Sequence, residues 1–116
     1  MPGGDYTLRE VDGCLVIGLE TGNLLNVNEV SRIGRDLTTA LKSETRNVVL
    51  DLSKVRYAGS AALGMFVSIS KQLKEKGAKL VLAGTQHLEA LFKASRTLAI
   101  FEMAPDIDAA VAALKK

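Results

Sequence analysis

Residues 48–52, Val48-Val49-Leu50-Asp51-Leu52, run through a short link at Tyr57 into residues 59–64, Gly59-Ser60-Ala61-Ala62-Leu63-Gly64, and this stretch decides the fold. The apolar run has no in-out alternation, which predicts a strand covered on both faces, as in a parallel sheet flanked by helices. The segment after it predicts a helix from Ser60 to about Lys76, ended by Gly77. A helix start leaves backbone N–H groups unpaired and carries the positive end of the dipole, so the Ser60 hydroxyl has two possible uses: capping the helix or carrying a phosphate.

On a helical wheel Ala62, Leu63, Phe66, Ile69 and Leu73 share one arc, which must face the sheet. The opposite side offers Ala61, Gly64, Met65 and Ser68, with Lys71, Lys74, Glu75 and Lys76 in the later turns. Glycine inside a helix costs about 1 kcal/mol relative to alanine. Gly64 therefore either admits a close-approaching partner or eases packing against a neighbouring loop. Leu80-Val81-Leu82-Ala83 is a second buried strand, and strand, helix and strand together have the length of a right-handed βαβ crossover.

Upstream, Asp12-Gly13 lies between two β-prone runs and predicts a hairpin over residues 5–19, with Leu15, Ile17 and Leu19 alternating with Cys14, Val16 and Gly18. Asn26 or Asn28 caps a helix whose Val30, Ile33, Leu37 and Leu41 form one face. Downstream, Thr85 is placed to cap a third helix carrying Leu88, Leu91 and Phe92. Ile100-Phe101 reads as a short final strand, and Pro105-Asp106 opens a last helix with Ile107, Val111 and Leu114. The expectation is one α/β domain over residues 5–116 behind a flexible lead at 1–4: an opening β-hairpin, then alternating strands and helices, forming a mixed sheet with helices packed on it.

The 116 residues are enough for a core without disulfides or metal. Fifteen basic and 13 acidic residues give a net charge of +2, too little focused field to gather nucleic acid or a membrane surface. Cys14 is the single cysteine and reads as a small core residue. No signal-peptide pattern or membrane-length apolar run is visible, so cytoplasmic residence is expected. His87 is the sole histidine and reads as a surface residue, and the Ser60 segment lacks both the lysine of a P-loop and the three glycines of a dinucleotide fingerprint. No cofactor, metal site or intrinsic catalysis is expected.

Residues 48–84, VVLDLSKVRYAGSAALGMFVSISKQLKEKGAKLVLAG, resemble the STAS domain of bacterial anti-sigma-factor antagonists. That pattern has an apolar strand ending in Asp-Leu-Ser, an aromatic or apolar step, an Asp-Ser-[Ser/Thr/Ala]-Gly-Leu-Gly motif at a helix start, and a Lys-Gly turn into the next strand. The likeness extends to the Asp-Gly hairpin, the asparagines before the first helix and the Ile-Phe step, and so covers nearly the whole chain. It implies a STAS-like fold and places the family's phosphorylated serine on Ser60 and its Leu-Gly on Leu63-Gly64. Gly59 stands where the family has Asp, and Ala62 where it has Gly.

The resemblance further implies a domain that binds an anti-sigma factor with serine kinase activity, is phosphorylated by it, and is restored by a protein phosphatase, acting as a monomer or weak dimer. The expected contact residues are Gly59, Ser60, Ala61, Gly64, Met65 and Ser68, with Asn26 and Asn28 joining them if the loop before the first helix lies beside that surface. Asp51 and Ser53 match the strand-end residues, where short polar side chains satisfy backbone groups. Two alternatives remain: a STAS subunit of a lipid-transport ATPase or signalling scaffold without phosphorylation, and a small nucleotide- or phosphate-binding protein.

Overall fold

The computed structural model describes residues 5–96 and 100–115; the expected flexible lead at 1–4 and the final residue lie outside them. Strands β1 (Tyr6–Val11) and β2 (Cys14–Leu19) form the hairpin, turning through Asp12 and Gly13, both at positive φ. A two-residue strand β3 (Asn23–Leu24) leads to helix α1 (Val27–Ala40), followed by β4 (Val48–Asp51) and a second two-residue strand, β5 (Tyr57–Ala58). Helix α2 (Ser60–Lys74), β6 (Leu80–Ala83), a 3₁₀ turn at Gln86–Leu88, α3 (Glu89–Ala94), β7 (Glu102–Ala104) and α4 (Ile107–Leu114) complete the chain.

The main sheet has the order β1-β2-β4-β6-β7, antiparallel only between β1 and β2. Strands β2, β4 and β6 are interior and buried on both faces. Alternate residues Ile17, Val48, Leu50 and Leu82 enter the larger core beneath α1, α2 and α3, while Val16, Val49 and Val81 meet Ala110, Val111 and Leu114 of α4 on the other face. Cys14 is buried in this second core. The hairpin's second strand thus has no solvent side: all six of its residues are buried, because β4 pairs along its outer edge and helices cover both its faces.

The helix ends follow local chemistry. Asn26, not Asn28, caps α1, accepting from Glu29 N at 2.9 Å, and Asp106 caps α4, accepting from Ala109 N at 2.8 Å. Thr85 caps nothing: the element after it opens as a 3₁₀ turn, and its hydroxyl lies 3.8 Å from Met103 Sδ. The last strand begins at Glu102 instead of Ile100. Phe101 is drawn into the core against Phe66 and Phe92, with ring centroids 6.5 and 5.8 Å away, before the chain can enter the ladder, and Ile100 is left 57% exposed.

Two contacts tie the connections that carry the site. Gly84, at φ +68°, follows β6 so closely past Ser53 that a Cβ there would lie 2.9 Å from Ser53 Cα. Gly84→Ala is expected to destabilise the fold by about 2 kcal/mol, read as a lowered urea midpoint. In the α1–β4 connection Arg46 grips Glu44 through Nε at 2.9 Å, Nη2 at 3.0 Å and its backbone N–H at 2.9 Å. The hydrogen bond from the Arg46 side chain is the main cause that holds the Glu44 carboxyl at about 2, against an ordinary 4.5 and against the opposing effect of burial. The folded chain favours the ionised form, so this stabilisation is complete above the ordinary value and is lost as pH falls from 4.5 toward 2. Glu44→Gln is expected to lower stability at neutral pH and to flatten its acid dependence over that window, measured by urea unfolding across the range.

Candidate functional site

Ser60 sits where three connections converge. β4 ends at Asp51, whose Oδ1 accepts from Ser53 N at 3.0 Å and turns the chain out of the sheet, the structural role expected for this residue. The chain then returns through β5, which pairs in parallel with β3, Asn23 opposite Tyr57 and Leu24 opposite Ala58. Gly22 O accepts from Arg56 N at 2.9 Å and from Tyr57 N at 3.2 Å. This small sheet brings the loop before α1 against the start of α2: a Cβ at Gly59 would lie 3.6 Å from Leu25 Cδ2.

Ser60 is the first residue of α2, and Gly59, in extended backbone, occupies the cap position. Glycine supplies no side-chain cap, and the first turn carries no acidic residue. The Ser60 side chain makes no capping bond either, so of the two uses open to its hydroxyl the structural one is not taken. Ser60 is exposed, and the N–H groups of the first turn retain the partial positive charge of an uncapped helix end. α1 and α4 are neutralised at the same place, by Asn26 with Glu29 and by Asp106 with Asp108.

Around the hydroxyl the predicted residues divide. Gly59 and Ala61 are half-buried, while Gly64 and Ser68 are exposed on the outer side of α2. Met65 differs from expectation: only 6% exposed, it is packed into the seam between the helices, 3.4 Å from where a Cβ of Gly34 would be. The helical spacing that places Met65 beside Ser68 does not reveal that α1 crosses there. Asn26 is exposed but its side-chain oxygen is engaged as a cap, and Asn28 is exposed in the first turn of α1. Gly64 has open space around its missing Cβ, with nothing within 4 Å, which removes the neighbouring-loop explanation for this glycine. Ala62 is wholly buried, its methyl fitting the core where the family pattern has glycine.

Sequence reading missed the apolar fringe of this surface. Leu25, Val27 and Tyr57 are 53%, 62% and 60% exposed, on the two segments that the small sheet joins beside Ser60. The adjacent pair Leu24-Leu25 is the available signal: one leucine enters the core and its neighbour then faces out. A groove of about 600 Å³ between α1 and α2, floored by Val30 and Met65, was also missed. His87 is exposed in the 3₁₀ turn. Among the described residues no group of three metal-ligating side chains converges, and no helix is long and apolar enough to cross a membrane.

The STAS domain family model matches residues 5–110. The chain belongs to the STAS domain family. It is 32% identical over 110 residues to BtrV of Bordetella bronchiseptica, provisionally named an anti-sigma factor antagonist, covering 94% of this chain and 93% of that protein. Among solved structures it resembles an anti-sigma-factor antagonist (STAS) domain protein from Planctomyces limnophilus, with a TM-score of 0.84 at 19% identity, covering 97% of this chain and 99% of that one. It also resembles the anti-sigma factor antagonist SpoIIAA in its unphosphorylated form, with a TM-score of 0.66 at 16% identity, covering 89% and 90%. At these identities the structural likeness establishes the STAS fold.

Because Gly64 meets open space, Gly64→Ala is expected to raise stability by about 0.5–1 kcal/mol. A thermal melt that rises in this variant, alongside one that falls in Gly84→Ala, checks the distinction.

Proposed function

We propose that this STAS domain is an anti-sigma factor antagonist that binds a kinase-type anti-sigma factor through the start of α2, and that phosphorylation of Ser60 releases it. One observation carries the reading: an exposed serine hydroxyl, uncommitted to capping, at an uncapped helix start and beside exposed Leu25 and Tyr57. Apolar side chains in the open supply area for association, and a small neutral hydroxyl at their edge lets a partner close over it.

Phosphorylation forms a bond from Ser60 Oγ to the γ-phosphorus of ATP as the bond to the β-phosphate oxygen breaks, ADP departs and the hydroxyl proton is lost. The product carries about −1.5 to −2 charges at neutral pH. The free N–H groups of the α2 start tolerate that charge within the domain. An interface packed around a bare hydroxyl does not, since the dianion must be desolvated and given room. A penalty of about 2.8 kcal/mol lowers affinity a hundredfold, enough to exchange partners. A protein phosphatase restores the hydroxyl. The name of BtrV and the unphosphorylated form of SpoIIAA support this reading.

Gly59 favours a second reading, a STAS subunit or scaffold that binds constitutively. Without the usual acidic residue, the cap position offers no carboxylate to orient the serine. Two measurements separate the readings. Incubation with the kinase-type anti-sigma factor and ATP is expected to add one phosphoryl group by intact mass, and none to Ser60→Ala. In calorimetry Ser60→Ala is expected to retain binding and Ser60→Asp to weaken it at least tenfold. Equal binding by both variants, with no mass change, assigns the constitutive role.

A further inference from the structure

We infer that the groove between α1 and α2 seats a helix of the anti-sigma factor and that Arg35 receives a carboxylate from it. This rests on the reading of Ser60 above and specifies the partner's shape and charge.

The groove begins at Ala61, next to Ser60, and is continuous with that surface. Its walls span Val30 to Thr39 on α1 and Ala61 to Ser68 on α2, about 13 and 10 Å at 1.5 Å per residue, or roughly two turns of a third helix. Gln72 Nε2 donates to Thr38 O at 2.9 Å just beyond, so the far end is closed by the chain itself. Each wall carries a glycine, Gly34 and Gly64; among the described residues nothing lies within 4 Å of the Cβ position of Gly64, while the nearest atoms to that of Gly34 belong to Met65. An incoming backbone can therefore approach closely at Gly64.

Apart from the uncapped N–H groups at the start of α2 and Thr38 O, which Gln72 occupies, the backbone groups of both walls are spent within their own helices. An extended segment pressed into this groove would leave its own N–H and C=O groups without acceptors and donors, whereas a helix brings its own satisfied. The remaining lining is apolar or hydroxyl-bearing, and Arg35 is its single charge. Arg32, one turn earlier, is engaged with Asp5 at 2.8 Å, but Arg35 has no ion pair among the described residues. A lone cation at the edge of an otherwise neutral groove selects for an acidic side chain on the incoming helix and against a basic one.

The test is calorimetric titration of the purified kinase-type anti-sigma factor into wild type, Gly64→Gln, Arg35→Glu and Ser60→Asp, with thermal melting as a check on folding. Gly64→Gln fills the groove from a position with open space, and Arg35→Glu reverses the charge at an exposed one, so neither depends on refolding the core. Each is expected to weaken binding at least tenfold with the melting temperature kept, and a glutamate- or aspartate-to-lysine change on the partner helix is expected to restore binding to Arg35→Glu. Wild-type affinity in both groove variants while Ser60→Asp still loses binding overturns this inference and leaves the Ser60 reading standing. Wild-type affinity in all three removes both. Self-association that Arg35→Glu abolishes, seen by sedimentation without partner, overturns it in favour of a second copy as occupant.

Discussion

Two-sided burial of the three central strands is the constraint on which the rest of the molecule depends. β2, β4 and β6 present apolar side chains to both faces, so neither face can be left to water. Three helices close one face and a single short helix closes the other. Parallel pairing from β2 to β7 then requires each connection to cross the sheet, and the crossing from β4 to β6 is α2. The start of α2 is consequently delivered to the edge of the domain by the same packing that buries Phe66 and Leu73. The site is a by-product of the core's geometry, which is why a serine there can face solvent on a rigid element.

Rigidity at that point comes from small pieces. A two-strand ladder, two hydrogen bonds to Gly22 O and the close passage of Gly84 past Ser53 fix the path between β4 and α2. Within this frame Gly59 leaves the helix start bare. The departure from the family's acidic residue costs the helix a cap and leaves more positive potential beside the serine hydroxyl. Both effects bear on the proposed phosphorylation, and the missing carboxylate is what favours the constitutive reading beside it.

Much of this was readable from residue order. The uninterrupted apolar runs at 48–52 and 80–83 identify interior parallel strands, Asp12-Gly13 identifies the hairpin, and the arc of Ala62, Leu63, Phe66, Ile69 and Leu73 is the buried side of α2. The departures share a cause. Thr85 has a capping side chain but enters a 3₁₀ turn, Ile100-Phe101 is β-prone but Phe101 is claimed by two other aromatic rings, and Met65 has a solvent-side wheel position but is covered by α1. In each case a contact distant in sequence outweighs a local preference of smaller magnitude.

Local patterning by itself therefore determined the elements, their order and the serine at the α2 start, because hydrophobic period, turn chemistry and helix termini act over a few residues. Only the tertiary structure decided the surroundings of that serine: that the helix start is left uncapped, that Leu25 and Tyr57 stand exposed beside it, and that α1 and α2 leave an open groove with Arg35 at its edge. Those properties belong to pairs of segments some thirty residues apart, and no rule over neighbouring residues specifies the distance between surfaces that packing alone brings together.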